Sequence, residues 1–311
     1  MKKKFYFELI FLTILGALTS LSLPPYNFFI INFITFSYFF YFLYQKKKHN
    51  NHKKSFWYGW FFGLGYFLSS LYWITISLTF DENFKFLIPI ALMLIPAFLA
   101  IFYGLATYFF FLIRVKNPVS NLFLFSLLFG LTEFLRGNIL TGFPWNLIVY
   151  SLTNQIEILQ VASIIGTYGL NILCVSLFTS PAIFILRETK KEILVFIFFI
   201  LSPIILYTIG TIKIKSFQKL DLLKNDYKVR AIGSTINLER FYGNTDTLAV
   251  IDELIQISEP NLNEKTLFIW PEGIIPNIDQ SGLREFHFLF QEKFNENHLL
   301  GIGINSVNKE E

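Results

Sequence analysis

The chain has 311 residues, of which 53% are hydrophobic, 19% aromatic and only 15% charged, with a mean hydropathy of +0.50. Such a balance excludes one water-soluble core of this length and makes lipid the main solvent. The net charge of +4 comes mostly from short lysine clusters beside apolar runs, the habit of a cytoplasmic membrane surface, so no nucleic-acid partner is implied.

Lys2, Lys3 and Lys4 lead into an apolar run over 5–23. No small-x-small cleavage pattern precedes Pro24 and Pro25, so the run reads as an uncleaved first span rather than a secretory signal. A bilayer core takes about 20 apolar residues per helix, and stretches near that length recur at 28–45, 56–79, 86–113, 119–136, 155–186 and 193–213. About seven transmembrane helices are therefore predicted over 1–214. Basic residues stand before the first span, at 46–54 after the second, at Arg114 and Lys116 after the fourth, and at Arg187, Lys190 and Lys191 after the sixth. The alternate connections, at 24–27, 81–85 and 137–154, carry only Lys85 as a basic residue. This asymmetry predicts a cytoplasmic N-terminus and places everything after about residue 214 outside.

From about 215 the pattern changes to short alternating elements. Strands are predicted at 227–234, 266–270 and 298–304. Helices are predicted at 245–258, with Leu248, Ile251, Leu254 and Ile255 on one face, and at 281–295. Alternation of this kind predicts a mostly parallel sheet with packed helices. Three strands in the segment 215–311 make a small beginning for such a domain, and the sequence stops soon after the last, so an incomplete domain is expected.

Two constellations carry chemistry. The first is Thr132-Glu133-Phe134-Leu135-Arg136-Gly137-Asn138-Ile139-Leu140-Thr141-Gly142-Phe143-Pro144-Trp145. Glu133 and Arg136 share a helical face and can pair. Charges at membrane depth are functional suspects, although a pair that pins the helix end fits the spacing equally well. Gly142 to Trp145 read as a rigid aromatic turn at the outer interface. The second is Phe268-Ile269-Trp270-Pro271-Glu272-Gly273, which sets a carboxylate just past a buried strand, the edge where open α/β sheets bind ligands. Partly shielded by Trp270 and Pro271, Glu272 would suit a general base; the alternative is a solvated loop residue. Cys174 lies in a lipid-facing run without a base and is not read as a nucleophile. The four histidines have no metal-site spacing and read as solvated, so no metal or cofactor is expected.

Those two motifs, with Gly166-Thr167-Tyr168-Gly169-Leu170-Asn171 between them and Trp73-Ile74-Thr75-Ile76-Ser77 in the third span, resemble apolipoprotein N-acyltransferase of bacterial inner membranes. The resemblance runs through essentially the whole chain. It implies a membrane bundle joined to a periplasmic nitrilase-like domain, an αββα sandwich of which 215–311 would be the N-terminal part. It also implies transfer of an acyl chain from a phospholipid to the N-terminal amine of diacylglyceryl-cysteine in lipoproteins, through a Glu-Lys-Cys triad with Glu272 as its glutamate. By the same resemblance Glu133, Arg136, Phe143, Trp145 and Phe241 are candidate substrate-binding residues, Phe241 standing where the family usually has tryptophan. The implied partners are a phospholipid donor, a diacylglyceryl-modified lipoprotein acceptor and the bilayer. No residue after Glu272 matches the family's lysine and cysteine, so the chain is expected to be an inactive fragment of a longer protein. Two other readings stand beside this one: a polytopic transporter or scaffold with a soluble tail, and a membrane-tethered nitrilase-like amidase.

Overall fold

Apolar runs too long for a soluble core become helices in the computed structural model, which describes residues 2–48, 52–219, 227–233, 246–275 and 278–304. The first unit, Met1–Leu220, contains α1 (Lys2–Ser20), α2 (Ile31–Lys48), α3 (His52–Leu71), α4 (Ile88–Leu112), α5 (Pro118–Asn138), α6 (Ile156–Leu159), α7 (Ala162–Ile185) and α8 (Lys190–Gln218). Among the described residues, five helical segments are long and apolar enough to cross a membrane: Lys54–Thr79, Glu82–Leu112, Pro118–Asn138, Ala162–Ile185 and Lys190–Gln218. Helices α1 and α2 occupy the first two expected stretches, but they have only 19 and 18 residues and include terminal lysines. The count of crossings by length and composition is therefore five, below the seven expected.

Two predicted spans are not continuous α-helix. After Leu71 the chain tightens into a 3₁₀ segment, Tyr72–Thr79. There the side chains of Trp73, Thr75, Ser77 and Thr79 each donate to the carbonyl three residues back, at 2.7–3.0 Å, competing with the α-helical ladder for those acceptors. The expected span 155–186 divides into α6 and α7, and within α7 Gly166 has φ 73° and ψ 165°, outside the helical region.

The helices pack through small residues and aromatic rings. Glycines bring α1 against α3: a Cβ on Gly16 would collide with the carbonyl of Phe62, and one on Gly65 with the carbonyl of Thr13. Thr107 of α4 donates to the Ser55 carbonyl of α3 at 2.8 Å. Phe39 and Phe62 stack at 4.1 Å in a core shared with Phe36, Phe125 and Phe129. Cys174, expected to face lipid, is instead buried within this bundle. Helix α8 fully buries only Glu192, Phe199 and Gly210; Val195, Leu206 and Ile209 pack partly against the bundle, and Leu194, Phe198, Leu201, Ile204 and Ile205 face outward as lipid requires.

The second unit, Asp221–Glu311, holds β1 (Lys228–Ala231), α9 (Thr247–Ser258), β2 (Thr266–Trp270), α10 (Gln280–Leu283), α11 (His287–Lys293) and β3 (His298–Ile302). The strands form a parallel sheet in the order β1-β2-β3, with Arg230 opposite Phe268 and Phe268 opposite Leu300. Phe268 and Trp270 pack with Val250, Ile251, Leu254 and Ile255 of α9. Leu248, expected on that face, is exposed, because Asp246 caps the helix only two residues earlier and the buried stripe starts at Val250. The single helix expected over 281–295 is broken by a 3₁₀ turn, Arg284–Phe286. His298, expected to be solvated, is buried, accepts from Asn295 N at 3.2 Å and lies edge-on to Phe268 and Phe294. The opposite sheet face leaves Val229, Ile269 and Leu299 exposed within this unit.

Candidate functional site

At one end of the first unit a pocket of about 410 Å³ opens between the end of α1, the end of α3 and the loop after α5; Pro24, Tyr26, Ser70, Trp73, Trp145 and Tyr150 line it. Trp73 and Trp145 stack across it with centroids 5.4 Å apart and planes 26° from parallel, and Phe143 lies 5.3 Å from Trp145. Trp73 and Trp145 are each about half exposed. Ser69, Asn146 and Thr153 add neutral polar groups to this aromatic mouth, and no charged side chain is among its lining residues, so it suits a lipid rather than a charged small molecule.

The loop is held from below. Helix α5 ends at Asn138, and the chain reverses through Leu140, Thr141 and Gly142, all at positive φ (53°, 73° and 81°). Two consecutive non-glycine residues in that region cost conformational energy, and a Cβ on Gly142 would strike the Gly137 carbonyl. What holds the turn is Arg136. Its Nη1 donates to the carbonyls of Phe143 (2.6 Å) and Trp145 (2.8 Å), and its own carbonyl accepts from Phe143 N at 2.9 Å. Its Nε donates to Glu133 Oε2 at 2.9 Å and its Nη2 pairs with the same oxygen. The guanidinium also lies 5.2 Å from the Phe67 ring. Both Glu133 and Arg136 are 1% exposed, so the structure places them beneath the mouth, joined to each other and to the loop.

Three further residues, not singled out for this role from sequence, complete the support. Tyr66 of α3 donates from its hydroxyl to the Asn146 carbonyl at 3.0 Å. Asn171 of α7 accepts from Val149 N at 3.0 Å and fixes the 3₁₀ segment Ile148–Leu152. Tyr168 packs edge-on to Phe134. Tyr168 and Asn171 fall within the glycine-flanked motif 166–171, so that motif had pointed to them; nothing in the sequence pointed to Tyr66.

In the second unit Glu272 sits just past the C-terminal end of β2, the central strand. Its turn uses Gly273 at φ 68°, whose N–H donates to the Gly303 carbonyl at 3.3 Å. Gly303 must itself be small, since a Cβ there would lie 2.7 Å from Glu272 Cα. The backbone of Glu272 is thus fixed at the sheet edge by the ends of two strands. Trp270 does not shield it as expected: its ring is buried against Phe290 and its indole N–H donates to Ser258 Oγ at 3.0 Å, leaving Glu272 exposed within the described unit. Phe241 lies outside the described residues.

A family model described as the apolipoprotein N-acyltransferase N-terminal domain matches residues 15–180, a stretch that includes the whole loop from Glu133 to Trp145. Curated relatives named apolipoprotein N-acyltransferase include one from Rhodopseudomonas palustris, 30% identical over 84% of this chain and 50% of the relative. Another, from Allorhizobium ampelinum, is 29% identical over 89% of this chain and 54% of the relative. A third, from Rhizobium etli, is 36% identical over 57% of this chain and 34% of the relative. The chain spans about half the length of the curated relatives it matches.

Proposed function

The chain belongs to the apolipoprotein N-acyltransferase family, and from that membership we propose that it supplies the membrane bundle and the glutamate-bearing first part of a nitrilase-like domain in a lipoprotein N-acyltransferase. Residues 1–214 form the bundle with seven crossings of a bacterial inner membrane, and 215–311 begin the periplasmic domain. The exposed apolar face formed by Val229, Ile269 and Leu299 supports an αββα sandwich, in which a second sheet covers that face.

The reaction moves an acyl group from a phospholipid ester to the N-terminal amine of a diacylglyceryl-cysteine. Glu272 acts as general base, taking the proton from the thiol that attacks the ester and returning it to the departing lysophospholipid oxygen, while lysine steadies the oxyanion; the amine then attacks the thioester, takes the acyl group and frees the thiol as the amine proton passes back through Glu272. The thiol and lysine belong to the family's triad and have no matching positions in 1–311. A glutamate whose backbone is fixed at the end of a central strand is suited to that role because its starting point is set by the sheet.

Both substrates are anchored in lipid, so acyl chains must enter from the side of the membrane. Trp145, Phe143 and Trp73 form the mouth that receives them. Glu133 and Arg136 act on substrate only through the loop that they hold. The observation that carries the reading is the family match over 15–180 together with Glu272 at the end of the central strand.

The test uses the complete reading frame that contains this chain, purified and supplied with a labelled phospholipid and a diacylglyceryl peptide. Glu272→Gln is expected to lower transfer by at least about a hundredfold, the usual scale for losing a general base. Trp145→Ala should raise KM for the phospholipid with a smaller change in kcat. Undiminished transfer by Glu272→Gln would remove Glu272 from the mechanism, and an unchanged KM in Trp145→Ala would remove the mouth.

A further inference from the structure

At the lysine-rich end of the first unit a smaller concavity, about 220 Å³, lies between the end of α2 and the turn joining α4 to α5. Lys47, Lys48, Arg114 and Lys116 line it, with no carboxylate among the lining residues. Its floor is a fixed polar structure. Asn121, 1% exposed, donates through Nδ2 to the carbonyls of Val115 (3.0 Å) and Asn117 (2.9 Å), and its Oδ1 accepts from Lys47 Nζ at 2.8 Å. The Lys47 ammonium also lies 4.1 Å from the centre of the Phe110 ring. It is therefore pinned and partly desolvated, and among the described residues no Asp or Glu stands within ion-pair distance of it.

Two features add to the positive potential. Helix α5 starts here, so the positive end of its dipole points toward the pocket. The Lys48 ammonium is held 4.9 Å over the Tyr44 ring. The acids whose charge reaches Tyr44 from the neighbouring turn are Glu188 and Glu192. Glu192 is already engaged by the backbone N–H and hydroxyl of Thr189, at 2.8 and 2.6 Å.

A partly desolvated ammonium at a membrane boundary needs a counter-charge, and a phosphate offers several acceptor oxygens to several donors at once. Leu112 and Ile113, exposed immediately before Arg114, provide the apolar surface along which acyl tails would lie. We propose that this pocket binds the phosphate of an anionic phospholipid in the leaflet facing the lysine-rich end. The lipid there is a resident of the fold, at the opposite end of the bundle from the aromatic mouth, and its binding does not depend on acyl transfer.

Native mass spectrometry of the full chain in detergent tests this by titration with phosphatidylglycerol, phosphatidylcholine and inorganic phosphate. One phosphatidylglycerol should be retained in preference to phosphatidylcholine. Lys47→Gln and Lys116→Gln should each weaken it by about fivefold, while Lys190→Gln/Lys191→Gln, which removes two charges from the start of α8, should leave it unchanged. Should Lys47→Gln fail to fold, the exposed Lys116 decides. Equal weakening by the Lys190/Lys191 variant would show a diffuse surface field and overturn the pocket; displacement by inorganic phosphate at equal concentration would show a small-anion site and overturn the lipid.

Discussion

A fully buried arginine demands acceptors for its N–H groups and a partner for its charge. Arg136 finds them in one carboxylate oxygen and two loop carbonyls, which take four of its five N–H groups. The demand also works in reverse, because the loop carbonyls of Phe143 and Trp145 would be left unpaired without it. Arg136→Gln should therefore cost about 3–5 kcal/mol, the scale for breaking a buried pair by removing one partner. Glu133→Gln should cost less, since the guanidinium keeps its two carbonyls. The double substitution should be milder than the sum, because neither mutant then strands a lone charge. Chemical unfolding of the four proteins in detergent micelles measures the cycle. Additivity within about 0.5 kcal/mol would mean that the two residues act independently, and the latch would have to be sought elsewhere.

At the scale of elements, α1 and α3 approach closely because each presents a glycine to the other's backbone, Gly16 to Phe62 and Gly65 to Thr13. Between membrane helices such contact replaces the hydrophobic drive that lipid removes. The obstacle to a larger residue is a carbonyl, which cannot rotate away as a side chain can. Gly65→Ala should thus destabilise the bundle by about 1–3 kcal/mol, seen as a lower unfolding midpoint, whereas Gly169→Ala, whose nearest neighbours are side-chain atoms of Ile165 at 3.3 Å and beyond, should cost less. Equal effects would mean that the α1–α3 approach is not tight. These contacts mark the boundary of what the residues reveal by themselves. Run length and lysine position give the helices, and the spacing of Glu133 and Arg136 gives their pairing. The return of the loop onto Arg136 depends on three successive left-handed residues, two of which, Leu140 and Thr141, do not favour that conformation. The 3₁₀ segment after Leu71 arises from side chains capturing backbone acceptors, and the exposure of Leu248 follows from a cap position; neither leaves a trace in hydrophobic periodicity. Glu272 is legible from its place after a strand, while Gly303, which makes room for it, lies just past the end of β3 and is brought there only by the pairing of β2 with β3.

On the scale of the whole membrane unit, the fold sorts the connections between helices into two groups. The pocket holding Lys47, Lys48, Arg114 and Lys116 gathers the turns after α2 and α4. The aromatic mouth gathers the connection after α1, the end of α3 and the loop after α5. Lysines and arginines cross a bilayer poorly and remain on the cytoplasmic side, while tryptophan and tyrosine settle at the interfaces. The sorting observed in space therefore agrees with the alternation counted along the sequence, and it supports crossings by α1 and α2 as well as by the five longer segments. If all seven cross, a reporter active only in the periplasm should be active when fused after residue 219 and inactive when fused after residue 48, and a cytoplasmic reporter should give the reverse. Should α1 and α2 lie along the membrane surface instead, five crossings remain. That is still an odd number, so with the C-terminal end outside both arrangements place residue 48 in the cytoplasm. The discriminating fusion is therefore the one after residue 26. Seven crossings require that point to be periplasmic, because a single passage of α1 separates it from a cytoplasmic N-terminus, whereas a surface-lying α1 leaves it cytoplasmic. Activity of the periplasmic reporter there would establish the seven-span bundle, and its silence, with the fusion after 219 active, would fix the count at five.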